Sequence, residues 1–459
     1  MEKFSAANVV LEARTAASMR NDKKVAYATI IGTTIEWYDY FIYAAVAGLV
    51  FNQLFFAPSG AFAANLLVFA SIGISFVFRP LGAFLAGHYG DRLGRRLMLV
   101  LTLVLMGGTT TLIGLLPTYE SIGIAAPIIL VSLRILQGIS AGGEWGGAVL
   151  MAVEHAPENK RGRFGAFPQL GVPLGLLLAS LVLVIMTGFV SPGDEFVEWG
   201  WRVPFLFSLV LLFVGHWIRK SVEESPVFEE IKERKGAIEN PIRQLFGQYK
   251  GSVFAAALLC AGTTALGYMT TGGFIQNYTT NPAGPIGLER TTILTLVTIS
   301  AVIWGIFTWL SANLSDKFGR KKIYLAGTLI QIVAAFVLFP LVDMGSYASI
   351  AAALFILSAG IGMSYGVQAV LCAELFPASI RFSGISISYA VGSILGGAFA
   401  PLIAAWLIGV TGGTTAVTIY LVSMALIAFT SIALLKDRTR IPLGLDHEAE
   451  QNASPFIWK

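Results

Sequence analysis

The sequence predicts an all-α membrane protein, with twelve transmembrane helices arranged as two pseudo-symmetric six-helix bundles. Three observations carry this expectation. Of 459 residues, 55% are hydrophobic and 13% charged, about half the ~25% charged share of a soluble domain, and the mean hydropathy is +0.72. About twelve apolar segments reach the ~20 residues a helix needs to cross ~30 Å of hydrocarbon. Loop signatures in the first half of the chain also recur in the second. The runs are long and rich in Leu, Ala and Gly rather than ten-residue alternations, which argues against membrane strands. A soluble enzyme, a disordered tail protein and a secreted disulfide scaffold are excluded by the same composition.

In chain order the spans fall at about 25–51, 62–87, 97–117, 125–153, 164–190 and 201–219, then 251–275, 291–313, 323–342, 347–373, 383–409 and 415–435. The first 24 residues hold no apolar core of a signal peptide, so insertion is expected to rely on the first helix. The longest polar interval separates the two sets of six. The expected organisation is a tail at 1–24, bundles at 25–219 and 251–435, a linker at 220–250 and a second tail at 436–459. The linker's charge pattern fits either a surface-lying amphipathic segment or a solvated connection.

Basic residues orient the chain. With the N-terminus inside, the cytoplasmic segments hold 27 of the 31 Lys and Arg. The opposite loops hold Arg202 and Arg290, and Arg79 and Arg134 lie within spans. Both ends are therefore expected in the cytoplasm. The net charge of +4 is too small to suggest a nucleic-acid partner. Cys260 and Cys372 sit in apolar runs, which disfavours a disulfide framework. His88, His155, His216 and His447 lack metal-ligand spacing. No metal or cofactor is expected.

The repeat is specific. GHYGDRLGRR (Gly87 to Arg96) follows span 2, and ANLSDKFGRK (Ala312 to Lys321) follows span 8, with Asp316 lying 225 residues after Asp91. After spans 4 and 10, Glu154 and Glu374 are each followed by Pro three residues on and by Arg161 and Arg381 seven residues on. Such duplication predicts a transporter with its site between the halves near the midplane. The loop after span 2 resembles the signature of the major facilitator superfamily. IEWYDYFIYA, FRPLGAFLAGHYGDRLGRR, SLRILQGISAGGEWGGA, EWGWRVPFLFS and ELFPASIR together resemble its metabolite:proton symporter family, over roughly residues 25–440. Carriers of shikimate, α-ketoglutarate, citrate and proline/betaine belong to that family. Two departures stand out: Ala312 replaces the loop's first glycine, and the short last tail has no heptads for a coiled coil.

Ionisable groups inside a span cost ~2.5–3.5 kcal/mol on insertion scales and so mark function. The first half supplies Glu36, Asp39, Arg79, Arg134 and Glu144; the second offers neutral groups instead. Glu36, Asp39, Tyr40 and Tyr43 share one helical face. Asp39 and Arg134 lie at depths that allow contact, either as a switchable pair for proton coupling, with Glu36 beside it, or as a permanent structural ion pair. Arg79 precedes Pro80 and approaches the midplane, placed to fork a carboxylate or to hold backbone carbonyls. Glu144 stands in the glycine stripe Gly138, Gly142, Gly146, facing either the cavity or a neighbouring helix. Gly171, Pro173 and Gly175 imply a local bend near Gln169.

Proton coupling is thus expected from Asp39, Glu36 and Arg134. Candidate substrate contacts are Arg79, Arg134, Tyr43, Glu144, Gln169, Tyr268, Asn277, Tyr365 and Gln368. Candidate gating residues are Gly87, Asp91, Arg92, Gly94 and Arg95, their counterparts Asp316, Gly319 and Arg320, and the pairs Glu154, Arg161 and Glu374, Arg381. The resemblance implies that Asp91 and its neighbours latch the bundles on the cytoplasmic side. It further implies a monomeric carrier in the bacterial inner membrane, taking up a small organic anion with protons by alternating access. A zwitterionic osmolyte, or export of drugs or toxic acids, is the competing expectation. Nucleotide loops, nucleophile motifs and metal clusters are absent from the sequence, so an enzyme is not expected.

Overall fold

The computed structural model describes residues 26–93, 95–219, 241–271, 273–281, 284 and 286–458, with the side chains of 87–99 outside that description. Among the described residues twelve long helices run back and forth, with shorter ones between them. In the first half, α1 covers 26–46 and continues in the π-helical turn Ala47–Phe51. Next come α2 (Ala61–Val77, resumed at Arg79–Leu93), α3 (Arg95–Leu115), α4 (Ala125–Glu154), α5 (Arg161–Ile185) and α6 (Arg202–Arg219). The second half has α7 (Lys250–Thr271), α8 (Arg290–Phe318), α9 (Arg320–Val342), α10 (Tyr347–Ala373), α11 (Arg381–Gly392, continued to Thr411) and α12 (Thr415–Ala433). Ten stretches among the described residues are long and apolar enough to cross a bilayer, and Val100–Leu115 is a shorter apolar helix. In hydrocarbon only helices satisfy their own backbone this way.

Local chemistry sets the boundaries and breaks. Glu289 caps α8 by accepting from the Thr291 and Thr292 amides, and Ser346 caps α10 by accepting from the Ser349 amide. α2 breaks at Phe78, because the ring of Pro80 clashes with the carbonyl four residues back and donates nothing. That break aims Arg79 inward. α11 is interrupted before Pro401 by the π-helical turn Ser393–Ala398. α5 runs unbroken through Pro168 and Pro173, and its glycines serve contact: a Cβ at Gly171 would stand 2.5 Å from Thr33, and one at Gly175 2.8 Å from Trp37.

Among the described residues the halves join chiefly along α5 with α8 and α2 with α11, and along α5 with α10 and α4 with α11. Advancing each number by six turns the first pair into the second and the third into the fourth, so the duplication is written in the packing itself. Small residues bring these surfaces together. A Cβ at Gly146 would lie 2.0 Å from Ser386 Oγ, and one at Gly162 2.6 Å from Ala312 O. Gly138 and Gly142 serve a different contact, within the first half. There a Cβ would stand 1.9 Å from Ser75 O and 2.0 Å from Arg79 O on α2.

Overpacking of this kind costs ~1–3 kcal/mol or more. Gly138→Ala and Gly142→Ala are therefore expected to lower the melting temperature of the purified protein by several degrees each. Gly108→Ala, with nothing within 4 Å of the added methyl, serves as the unaffected control.

Candidate functional site

The halves meet over a small cavity, about 20 Å³, walled by Trp37 of α1, Tyr268 of α7, Trp304 of α8, Tyr365 of α10 and Tyr389 of α11. It has room for about one water, so a metabolite enters only if the halves separate. The rings meet edge to face: Trp304 and Tyr365 at 5.7 Å, Tyr40 and Tyr268 at 5.6 Å, Phe76 and Tyr268 at 5.2 Å. Trp145 stacks on Tyr389 at 3.9 Å across the halves. Around this cage, Trp37 Nε1, Trp304 Nε1, Tyr268 OH, Tyr365 OH and Arg79 Nε are buried without a hydrogen-bond partner. Unmet buried donors carry a desolvation cost of ~1–3 kcal/mol each, recovered when a ligand supplies acceptors.

Arg79 is buried, its guanidinium 4.0 Å above the Phe76 ring and 5.6 Å from Trp37. Glu36 is buried and acts electrostatically on Tyr268 and Tyr389, as Arg79 does, which places both beside the cage. Glu144 is buried on α4. Tyr43 shares a 2.7 Å hydrogen bond with Ser71 and lies 3.8 Å beneath the Arg134 guanidinium. Gln368 donates to Cys260 Sγ at 3.2 Å and leaves its Oε1 unpartnered.

The expected Asp39–Arg134 ion pair does not form in this structure. Asp39 points to α6, where its Oδ1 accepts from Ser208 at 2.5 Å. Arg134 instead bridges to α2, donating to Ser71 O and Ser75 Oγ, and to Gln137 Oε1 on its own helix. The two share a depth, but the twist of α1 turns Asp39 away from α4. Gln169 is a brace as this conformation stands: its Oε1 accepts from Trp145 Nε1 at 2.9 Å, and its Nε2 donates to Tyr365 O at 2.8 Å. Asn277 lies outside the cage, donating to Gly48 O at 3.2 Å on the floor of a separate cleft of about 460 Å³. Trp37, Trp304 and Tyr389 complete the cage without having been among the expected substrate contacts.

A polar cluster ties the halves at the opposite end. Asp316 of α8 accepts from the Gly162 and Arg163 amides at 2.8 and 2.9 Å, capping α5 from the other half. The same carboxylate pairs with Arg320 at 2.7 Å. Glu154 pairs with Arg381 across the halves at 3.6 Å, and Glu374 lies 3.4 Å from Arg320. Glu154 therefore pairs with the arginine of the other half's motif, while Glu374 pairs with Arg320 of its own half and Arg161 with Glu158 at 3.8 Å. Gly319 holds φ +98°, and Asp437 Oδ2 comes within 2.5 Å of where its Cβ would be. The side chains of Gly87, Asp91, Arg92, Gly94 and Arg95, the matching loop of the first half, lie outside the described residues.

The C-terminal segment is woven into this cluster, which sequence reasoning missed. Arg161 donates to Ile441 O, the Arg320 amide to Thr439 Oγ1, and Arg381 to Leu443 O and Gln451 Oε1. Gln451 is buried, and it also accepts from the Ala378 amide and donates to Pro442 O and Gly444 O. The polar sequence carries no heptads, and its signal is single residues that close carbonyl and amide accounts.

Burial pushes the Glu374 carboxyl up to about 7, against the opposing pull of Arg320 and Arg161. A raised folded value means that the native state binds the proton more tightly than the unfolded chain. Its contribution is full below the ordinary carboxylate range and fades as pH rises through about 7. Melting curves between pH 5 and 8 should show this loss, on the order of a few kcal/mol, and Glu374→Gln should flatten it.

Comparison with known proteins agrees with this architecture. The family model for the Major Facilitator Superfamily matches residues 29–388 and 265–459. The chain is 40% identical to the "Inner membrane metabolite transport protein YhjE" of Escherichia coli K12, over 90% of this chain and 93% of that one. It is 38% identical to the "Shikimate transporter" of the same organism, covering 92% and 96%. With a "Putative proline/betaine transporter" of Staphylococcus aureus COL the identity is 31%, covering 90% and 88%. The fold is similar to that of the proton:xylose symporter XylE, with a TM-score of 0.77 at 20% identity, covering 94% of this chain and 99% of that one. The matched family model and these relatives establish that the chain belongs to the major facilitator superfamily of membrane transporters.

Proposed function

We propose that this carrier takes up a small hydroxylated organic acid anion together with protons, by alternating access, in the inner membrane. One observation supports the substrate class above others: the aromatic cage presents a surplus of buried donors on its walls, with Arg79 Nε a further unpartnered donor beside it. A compact carboxylate with ring hydroxyls supplies the acceptors these groups lack, and its ring face suits the tryptophans and tyrosines. Aromatic walls also favour a quaternary ammonium, the group that a betaine would bring. The Arg79 charge opposes that reading. Being the substrate of a 38% identical relative, shikimate is the first compound to test.

Asp39, with Glu36 and Arg134, is the proposed proton-coupling group. Arg79, Arg134, Tyr43, Glu144, Tyr268, Tyr365 and Gln368 are proposed contacts around the opened cavity. Gln169 and Asn277 would join them once their braces release. The polar cluster of Glu154, Arg161, Asp316, Gly319, Arg320, Glu374 and Arg381 is proposed as the cytoplasmic latch, with Asp91 and its loop as the matching part. Both termini and the 220–250 linker are assigned to the cytoplasm on the distribution of basic residues. The 460 Å³ cleft then opens to the outside. Bundles at 25–219 and 251–435 would rock against each other as the alternating units.

Four measurements check this. In proteoliposomes with an acidic exterior, wild type should accumulate labelled shikimate and ignore glycine betaine; the reverse selectivity would favour the osmolyte reading. Arg79→Gln should weaken substrate binding by roughly 10–100-fold, the worth of a charge-assisted hydrogen bond, with Arg79→Lys in between. Asp39→Asn should still exchange substrate yet fail to concentrate it under a pH gradient. A cysteine introduced at Asp194 should react with an impermeant reagent added outside intact cells.

A further inference from the structure

Asp39 and Arg134 are separated, yet a line of buried polar groups runs between them. Arg134 Nη1 donates to Gln137 Oε1 at 2.5 Å, and Gln137 Nε2 donates to Thr110 Oγ1 at 2.8 Å. The Thr110 hydroxyl donates to Met106 O at 2.9 Å and stands beside the Asp39 carboxyl, with which it interacts. Asp39 Oδ1 takes its bond from Ser208, while its Oδ2 is buried and accepts nothing. Arg134, Gln137, Thr110, Asp39 and Ser208 are each no more than 1% exposed. The first two donors, Arg134 and Gln137, point from the cation toward the acid, and the Thr110 hydroxyl turns aside to Met106 O. Four helices contribute: α4, α3, α1 and α6.

We propose that Gln137 and Thr110 are positioning residues that transmit the protonation state of Asp39 to Arg134, through a threonine hydroxyl that alternates between Met106 O and Asp39 Oδ2. This rests on the reading that Asp39 carries the coupled proton. With Asp39 ionised, Oδ2 demands a donor, and the Thr110 hydroxyl turns to it from Met106. Thr110 keeps accepting from Gln137, so the carboxylate polarises the line and strengthens the hold of Gln137 Oε1 on Arg134. A proton arriving from the outer water binds Oδ2 and takes that demand away, leaving no net charge on Asp39. The hydroxyl returns to Met106 O, the line depolarises, and the guanidinium is freer to meet an anion. Proton and anion then favour each other's binding.

Other charges near each end are few. Glu36 and Tyr38 lie close to Asp39 on its own helix, Tyr38 held by Pro204 O of α6. From α3 and α6 the carboxyl is faced by the neutral hydroxyls of Thr110 and Ser208. Arg134 is faced by Tyr40 and Tyr43 of α1, Tyr268 of α7 and Arg79 of α2. No carboxylate is among these last groups, so a neutral relay is the recorded route from Asp39 to Arg134.

The test needs no substrate. Infrared difference spectra of the purified full-length carrier report the C=O band of a protonated carboxyl, and the band lost in Asp39→Asn belongs to Asp39. Its pH profile is followed in wild type, Thr110→Val, Thr110→Ser and Gln137→Leu. A hydrogen bond to a charged group is worth ~1.5–3 kcal/mol, and one unit of pH corresponds to ~1.4 kcal/mol. Thr110→Val should therefore move the profile by roughly one to two units toward higher pH. Gln137→Leu should move it the same way by less, and Thr110→Ser should restore it. In proteoliposomes Thr110→Val should keep shikimate exchange while losing proton-driven accumulation. A profile that titrates in wild type but stays put in Thr110→Val and Gln137→Leu overturns the relay alone. Absence of any titrating Asp39 band overturns the coupling reading and the relay with it. Thr110→Val conserves shape, and an unchanged melting temperature separates its effect from misfolding.

Discussion

A charge placed in hydrocarbon must find its partners inside the protein, and the arrangement of this carrier follows from that requirement. Glu36, Asp39, Arg79, Arg134 and Glu144 are all nearly fully buried, and all lie in the first half. Their needs are met in different ways. Asp39 takes a serine, Arg134 takes carbonyls and an amide, and Arg79 rests on aromatic faces. Of the two guanidinium groups, only that of Arg79 leaves a nitrogen, Nε, without a hydrogen-bond partner. The second half answers with neutral aromatic walls, so charge is concentrated on one bundle and shape on the other.

The ends of the molecule obey a second version of the same rule. Helix termini leave amides and carbonyls without intrahelical partners, and here part of that deficit in one half is met by the other. Asp316 caps α5, and the C-terminal segment brings carbonyls to Arg161 and Arg381. A bond that completes a helix end in this way exists only while the halves are together at that end. Separation hands those amides and guanidinium groups to water, a modest exchange rather than a bare loss. The cluster is thus suited to repeated opening.

Much of this was legible in the sequence, and the reason is periodicity. Span length, basic loops and the 225-residue repeat each report a constraint that acts on backbone or on bulk composition. They imply about twelve helices and their duplication, while the helix pairs that join the halves appear only in the packing. Direction within a helix is harder. Asp39 and Arg134 share a depth, but one residue faces α6 and the other α2, an outcome set by helix rotation. Gln169 was legible as a buried amide but not as a brace between α4 and α10, since both partners lie far off in sequence. Trp304 and Tyr389 were legible as neutral stacking groups of the second half, whereas Trp37 was hidden among ordinary apolar residues. Gln451 sits in a polar tail where nothing periodic marks it.

The glycine contacts between the halves carry a consequence for speed. Where Gly146 meets the Ser386 hydroxyl and Gly162 meets Ala312 O and Ser315 Oγ, the glycine side offers no side chain to be keyed into a socket. Interlocked knobs must change rotamer or be withdrawn before two helices part, and each such step adds friction to the motion. Smooth surfaces peel apart in any order, like two flat plates rather than a zip. The rate of rocking then falls to the few polar ties at the rims, so the clock of the transport cycle can be retuned at those ties without recutting the helices between them.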